Sequence, residues 1–248
     1  MIILTILFFI TAILYASVGF GGGSTYLALM LIWEIPYYIF PIIALFCNII
    51  VVSGNSINFV RSGNINLKLI LPYLVGSVPF AFIGASISLE KEFFEILLFL
   101  VLIIAGLFLF LESNTFNKKD LKINSISTFF SIFIGSLIGF VSGLVGIGGG
   151  IFLSPILFLL KAGYPKHITS SASLFILINS IFGVVGQLTK EIVLNEFLNY
   201  WPLFLAVLIG GQIGNYLNIK FLSNKALALL TSLLIIFVAI RMGFRILF

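Results

Sequence analysis

Two glycine clusters are the residues of this chain whose spacing suggests chemistry. Residues 17–24 read SVGFGGGS and residues 144–151 read LVGIGGGI, each inside a long apolar run. Each glycine costs about 1 kcal/mol in helix propensity, so each cluster predicts a break in a helix. The first N–H groups of the helix after the break have no carbonyl partner within it, and they carry the positive end of its dipole. Because glycine has no side chain, an anion can approach these N–H groups closely.

Neutral polar side chains are the other candidate ligands, because no Lys, Arg, Asp or Glu lies near the middle of an apolar run. An anion at mid-membrane would therefore be held by backbone N–H groups, hydroxyls and amides. Each polar side chain could instead form a hydrogen bond between helices, worth about 0.6–2 kcal/mol. The candidate substrate-binding residues are Gly19, Gly21, Gly22, Gly23, Ser24, Thr25, Asn48, Gly146, Gly148, Gly149, Gly150, Ser170, Ser173 and Asn179.

The composition indicates that membrane helices position these residues. Of the 248 residues, 61% are hydrophobic and 8% are charged, with a mean hydropathy of +1.26, whereas soluble domains are about 25% charged. The apolar runs fall at about 2–33, 36–60, 67–89, 93–112, 126–160, 167–189, 197–221 and 226–247. We predict an all-α polytopic membrane protein of about eight apolar runs, most of them long enough for one crossing. The first and fifth runs would be broken at the glycine clusters into re-entrant or discontinuous helices, giving about eight to ten helical segments.

The chain is predicted to contain two homologous repeats, because the clusters recur in the same context. The four glycines of one cluster match those of the other at a constant offset of 127 residues. Downstream matches at offsets of 129 or 130 residues are Pro36 with Pro165, Pro72 with Pro202 and Gly84 with Gly214. We predict a first repeat at 1–112, a cytoplasmic linker at 113–125 and a second repeat at 126–248, forming one transmembrane domain.

Two topologies remain open for these repeats. If each long run crosses the membrane once, the repeats are parallel; if each run turns back at its glycines, the repeats are inverted. The turn-back topology places nine of the 13 Lys and Arg residues on one side and the all-crossing topology eight, a slight preference for inversion. Inverted repeats with broken helices are also a common transporter design, which favours the same topology.

Several other classes of function find little support in the sequence. No basic run is long enough to indicate nucleic-acid binding, and Cys47 is a single cysteine, which excludes disulfides within the chain. Neither cluster completes G-x-G-x-x-G, because Ser24 and Ile151 stand where the last glycine is needed. No intramembrane acidic pair or cluster of zinc ligands is present, so we expect no enzyme, no metal and no cofactor.

The residues around the clusters resemble the TauE/SafE-like sulfite exporter family of membrane permeases. The stretches that carry the resemblance are VGFGGGSTYLALML (18–31), GLVGIGGGIFLSPILFLL (143–160) and PKHITSSASL (165–174). The resemblance covers nearly the whole chain and implies a permease of the bacterial cytoplasmic membrane, with residues 19–24 and 146–151 along the substrate path. The first repeat departs from the pattern, since Pro41 and Cys47 stand where the second is polar at Thr169–Ser173.

The predicted function is secondary transport of a small sulfur-containing oxyanion such as sulfite or sulfoacetate, in the direction of export. The expected partners are this inorganic or organic anion and the lipid bilayer, without nucleic acid; a homodimer is a further option on which the sequence is silent. A membrane anchor or assembly subunit is the alternative, as is a transporter for another small anion. Such an anchor has no need of two helix breaks.

Overall fold

The computed structural model describes residues 1–113, 124, 126–190 and 196–217, together with 236, 240 and 243. The longer segments consist of helices joined by turns and short loops, without strands in this part of the chain. The α-helices are α1 (Ile2–Val18), α2 (Gly23–Ile32), α3 (Phe40–Arg61), α4 (Leu67–Ser86), α5 (Lys91–Ser113), α6 (Thr128–Val145), α7 (Gly150–Leu159), α8 (Pro165–Gln187) and α9 (Trp201–Leu217). Short 3-10 turns at Tyr37–Ile39 and Leu198–Tyr200 precede α3 and α9. Most of the predicted linker and of the eighth apolar run lies outside the described residues.

Both long apolar runs are broken at their glycine clusters, as the sequence predicts. Gly19 ends α1 with φ +88° and Gly22 precedes α2 with φ +88°. Gly146 ends α6 with φ +90° and Gly149 precedes α7 with φ +79°. These left-handed conformations are open to glycine at no steric cost, which explains why the two breaks fall at these residues.

Helix α2 lies alongside α1 and does not continue its line. Tyr15 Oη lies 2.7 Å from Thr25 Oγ1, and the ring of Phe8 stacks on that of Tyr26 with centroids 4.7 Å apart. At a rise of 1.5 Å per residue, Phe8 lies about 15 Å along the helix axis before the end of α1, while Tyr26 lies in the first turn of α2. These rings could not meet if the two helices formed one line, so the chain turns back at the first cluster.

Helix α7 returns alongside α6 in the same way. Asn124, which precedes α6, donates its backbone N–H to the carbonyl of Lys161 at 3.1 Å and its Nδ2 to that of Leu160 at 3.2 Å. Both carbonyls follow the end of α7, so α6 begins and α7 ends at the same end of the bundle. We call this end the linker end and the opposite one the distal end.

Helices α4 and α6 pack closely through glycine and run parallel. A Cβ on each of three α6 glycines would collide with a backbone carbonyl of α4; the pairs are Gly135 with Tyr73, Gly139 with Ser77 and Gly143 with Ala81. The residue numbers rise together along both helices, which makes the helices parallel. The three glycines, spaced four residues apart, therefore form the face of α6 that packs on α4.

Helices α1 and α9 form a second parallel pair. Gly210 faces the carbonyl of Phe9, and Gly214 faces that of Ile13. Residue 196, just before α9, lies next to the beginning of α3, where Glu196 Oε1 accepts a hydrogen bond from Tyr38 Oη at 2.9 Å. Helices α9 and α3 therefore begin at the same end of the bundle, and so does α1, which is parallel to α9.

The loop between α3 and α4 lies at the linker end. Ser170 Oγ, in the first turns of α8, donates to the carbonyl of Asn64 at 2.8 Å, and His167 Nδ1 lies 2.8 Å from the same oxygen. Because α8 follows α7, these contacts place the loop at the linker end. Helices α1, α3 and α9 thus run from the distal end to the linker end, whereas α4, α6 and α8 run the opposite way.

Four of the described helices are long and apolar enough to cross a membrane by length and composition: Tyr37–Arg61, Leu67–Ser86, Thr128–Val145 and Lys166–Gln187. The ten-residue helices α2 and α7 are shorter, and nearly all of their residues are buried. The outward faces of the longer helices expose large apolar side chains such as Phe129 and Ile209. Unpaired backbone groups are costly in lipid, which is consistent with the broken helices lying inside the bundle.

Candidate functional site: the glycine junction

The two glycine clusters lie against each other inside the bundle. A Cβ on Gly23 would lie 2.6 Å from the carbonyl oxygen of Ile147 and 2.7 Å from Nδ2 of Asn48. Both distances are shorter than Cβ atoms adopt, so this close approach requires glycine. We call the region where Gly21, Gly23 and Gly148 surround the Asn48 amide the glycine junction.

Asn48, on α3, connects the two clusters. Its Nδ2 donates to the carbonyl of Ile147 at 2.9 Å, and a Cβ on Gly21, Gly23 or Gly148 would collide with its amide. The side chain is fully buried, and its Oδ1 accepts no hydrogen bond from the part of the chain that the structure describes. An unsatisfied buried polar atom costs about 1–3 kcal/mol, which marks the junction as a place where water or a ligand can bind.

Helices α2 and α7 both begin at the glycine junction. In α2 the first backbone hydrogen bond runs from the N–H of Tyr26 to the carbonyl of Gly22 at 3.0 Å. In α7 it runs from the N–H of Phe152 to the carbonyl of Gly149 at 3.1 Å. The N–H groups before them, at 23–25 and 150–151, find no acceptor among the described residues. Each helix N-terminus carries about half of an elementary positive charge, so the junction is electropositive without a cationic side chain.

No charged side chain is buried in the described part of the chain. The Lys, Arg, Asp and Glu residues of these segments lie near helix ends and in turns. An anion at the junction would therefore meet only backbone N–H groups and neutral side chains.

The remaining positions of the first cluster contact the other half of the chain and α1. Gly19 faces Phe59 and Thr169, where a Cβ would lie 3.1 Å and 3.3 Å from their side chains. Gly22 packs against the ring of Tyr15. Ser24 and Thr25 are buried in the first turn of α2, and the hydroxyl of Thr25 is paired with Tyr15.

The second cluster has matching neighbours. A Cβ on Gly146 would collide with the backbone of Pro41, and one on Gly149 would lie 2.8 Å from the ring of Phe175. Gly150 packs against the side chain of Ile176. The first glycine of each cluster therefore lies against the beginning of the third helix of the other half: Gly19 against Thr169 of α8, and Gly146 against Pro41 of α3.

The polar candidates on α8 are buried, and their hydrogen bonds tie α8 to its neighbours. Ser170 bonds to the carbonyl of Asn64, and Ser173 Oγ lies 3.3 Å from Ser56 Oγ on α3. Asn179 Nδ2 donates to a carbonyl one turn earlier in α8 at 2.9 Å, while its Oδ1 has no partner in the described residues. None of these three side chains forms a hydrogen bond to the glycine junction. Among the candidate side chains, Asn48 forms such a bond, to the carbonyl of Ile147.

Ser180 and Ile147 belong to the junction although sequence reasoning did not single them out. Ser180 Oγ would lie 2.9 Å from a Cβ on Gly148, and this buried hydroxyl has no hydrogen-bond partner among the described residues. Its signal was a hydroxyl next to Asn179 on an apolar helix. Ile147 contributes only its carbonyl oxygen, for which the side-chain type provides no signal.

A helical bundle in which two broken helices point their N-termini at one buried junction is an architecture of membrane transporters. The family described as Sulfite exporter TauE/SafE matches residues 4–242 of the chain. The chain therefore belongs to this family, and the predicted resemblance is confirmed. The family is one of membrane transporters, which is consistent with the expectation of a protein that is not an enzyme.

Three relatives are each described as a probable membrane transporter protein. The one from Sinorhizobium fredii is 28% identical over 94% of this chain and 94% of its own length. A relative from Bacillus subtilis is 24% identical over 97% of this chain and 96% of its own length. A relative from Methanocaldococcus jannaschii is 31% identical over 76% of this chain and 73% of its own length. No solved structure matches the chain at a significant level. The chain is thus a multi-pass membrane transporter.

Proposed function

We propose that this transporter moves a small sulfur-containing oxyanion, such as sulfite or sulfoacetate, and binds it at the glycine junction. The observation that carries this proposal is the contact of Gly23 with the Ile147 carbonyl, with the Asn48 amide bonded to the same oxygen. The contact directs two helix N-termini at one buried place. The family's name supports the substrate class, and export across the bacterial cytoplasmic membrane is the direction that we propose.

The donors at the junction suit an anion with several acceptor oxygens. A sulfite or sulfonate group presents three oxygens on one sulfur atom, which can accept from N–H groups of both helix ends. The hydroxyl of Ser180 is a further donor. Two helix ends of about half a charge each balance a monoanion, and neutral donors let the anion leave again, which transport requires.

Access of the anion requires the Asn48 amide to move. In this structure the amide lies in contact with Gly21, Gly23 and Gly148 and is fully buried. Its bond to the Ile147 carbonyl joins the two halves of the chain, so a change in the packing of the halves breaks that bond. Asn48 would then act as a plug between the clusters when the site is empty and as a ligand when the anion is bound.

We further propose that residues 1–112 and 126–248 are inverted repeats joined by a cytoplasmic linker at 113–125. The opposite directions of α1 and α6 support this arrangement, as does the turn-back of α2 and α7. Glu34 and Lys161, 127 residues apart like the clusters, are the non-glycine residues with positive φ in the described chain, at 53° and 51°. Inverted repeats around a central site allow alternating access by movement of one half against the other.

Flux in proteoliposomes tests the proposed function. Purified protein is reconstituted and loaded in turn with sulfite, sulfoacetate, thiosulfate, sulfate or acetate, with and without a pH gradient. We expect flux of sulfite or a sulfonate well above that of empty liposomes and of acetate. Equal permeability to all five anions would contradict the proposed substrate class, and flux of none would contradict transport and favour an anchoring role.

A further inference from the structure

A cavity of about 530 Å³ lies at the distal end of the bundle. Its wall is formed by the beginning of α3, the ends of α4 and α6, and the turn after α8, and it includes Pro41, Leu144 and Lys190. This volume falls within the range of small-molecule sites. It is far larger than sulfite alone requires, so the cavity can hold a hydrated anion or a small organic sulfonate.

The cavity borders the second glycine cluster. Pro41 forms part of its wall, and the backbone of Pro41 also lies against Gly146 of the cluster, where a Cβ would collide with it. Leu144, two residues before Gly146, lines the cavity as well. An anion in this cavity is therefore separated from the second cluster by Pro41 and the end of α6.

Lys190 provides the cationic side chain of the cavity wall. Its Nζ donates to the carbonyl of Ile87 at 2.8 Å and to Oε1 of Gln187 at 3.2 Å. An ammonium group has three donors, so one N–H remains for a ligand in the cavity. The side chain is half-buried, and burial lowers its pKa to about 8. A bound anion would compensate this cost of burial.

We propose that the distal cavity is an anion vestibule, in which Lys190 binds the transported oxyanion on its path past Pro41 between the glycine junction and the outer face of the membrane. This inference rests on the proposed function, which supplies the chemistry of the ligand. A single cation in a half-buried cavity raises the local concentration of anions, and it does so outside the junction, where no cationic side chain is buried. Lys190 therefore governs the apparent affinity for an anion presented from the distal end, while the junction governs the rate of passage.

Other ionisable groups face the same region. Tyr37 and Tyr38 lie in the cavity wall, Tyr38 is bonded to Glu196, and Glu90 follows Leu89 of the wall. Glu191, next to Lys190 in sequence, lies outside the described residues. The pH dependence of flux in the wild type alone would combine the titration of Lys190 with that of these groups and of the anion itself. A matched variant is therefore needed.

Comparison with Lys190→Arg isolates the charge of Lys190, because arginine stays protonated throughout the range. Flux of sulfite, or of the best anion of the panel, is measured in proteoliposomes at pH 7 and pH 9, with the anion supplied on the side that the distal end faces. A group with a pKa of about 8 is about tenfold less often charged at pH 9 than at pH 7. We expect KM values within about twofold at pH 7 and a wild-type KM about five- to tenfold above that of Lys190→Arg at pH 9. If KM changes by the same factor between pH 7 and pH 9 in the wild type and in Lys190→Arg, the inference is overturned.

Lys190→Met removes the charge at all pH values, and Lys68→Met removes an exposed lysine at the linker end as the control. At pH 7, Lys190→Met is expected to raise KM about five- to tenfold with kcat within about twofold, whereas Lys68→Met changes neither. If Lys190→Met fails to insert, the arginine comparison decides alone. If the wild type transports and neither Lys190 variant departs from it, the vestibule is wrong and the proposed function stands. If the wild type moves none of the anions, the proposed function is wrong, and the vestibule falls with it.

Discussion

Asn48 Nδ2 donates a hydrogen bond to the carbonyl oxygen of Ile147, 2.9 Å away, although 99 residues separate them in sequence. The bond joins α3 in the first half of the chain to the glycine cluster in the second half. Gly23, from the first cluster, lies against the same oxygen. One carbonyl oxygen thus brings together both clusters and the buried amide that lies between them.

Substitution of Asn48 should reduce transport in a graded way. Asn48→Ser keeps a small donor and is expected to lower flux about threefold to tenfold, while Asn48→Asp adds an acidic oxygen where an anion should bind and is expected to abolish it. The measurement is initial flux at equal amounts of inserted protein. Asn58→Ser, on the same helix near the linker end, is the matched control and should transport like the wild type. Undiminished flux in Asn48→Asp would exclude the amide from the path.

Cysteines at positions 34 and 161 should be labelled from opposite sides of the membrane. Lys161 lies at the linker end, where it accepts from Asn124, and Glu34 precedes α3 at the distal end. Cys47 is buried, and Cys47→Ala supplies the background for labelling in intact cells with an impermeant maleimide. We expect reaction at position 34 from outside and at 161 only after permeabilisation. Labelling of both from the same side would contradict the turn-back topology.

A larger side chain at Gly139 should destabilise the protein. A Cβ at this position collides with the carbonyl of Ser77, so Gly139→Val forces α6 away from α4. Overpacking of this kind costs about 1–3 kcal/mol, and the loss of close helix contact adds to it. The expected result is a Tm in detergent several degrees below that of the wild type. Gly211→Ala, where a Cβ would meet only Val51 at an ordinary distance of 3.6 Å, should leave the Tm within about one degree.

The local features of this fold could be predicted from the sequence. Glycine acts through its own backbone and its missing side chain, so the breaks at Gly19 and Gly146 and the packing face around Gly139 follow from residue type and spacing alone. The sequence only slightly favours the turn-back of the broken helices, because the number of Lys and Arg residues on one side of the membrane differs by one between the two topologies. The contacts of Tyr15 with Thr25 and of Phe8 with Tyr26 decide the path of the chain there.

The glycine junction could not be predicted in the same way, because its contacts depend on how helices far apart in sequence pack. Asn48 was a candidate as a polar residue in an apolar run, but its partner is a backbone carbonyl that any residue type would provide. Ser170 and Ser173 had the same sequence signal, yet their hydroxyls lie next to Asn64 and Ser56. Residue type identifies possible ligands, whereas tertiary packing selects among them.

Equilibrium binding of radiolabelled sulfite to purified protein tests most directly whether the anion binds where the two glycine clusters meet. Gly23→Ala places a Cβ 2.6 Å from the Ile147 carbonyl and pushes the clusters apart, whereas Gly211→Ala adds the same methyl group to a buried glycine with room for it. We predict that Gly23→Ala lowers affinity at least about tenfold while it still inserts and unfolds cooperatively at a lower Tm, and that Gly211→Ala binds and unfolds like the wild type. Wild-type affinity in Gly23→Ala would contradict the account, because the anion would then bind away from the glycine junction.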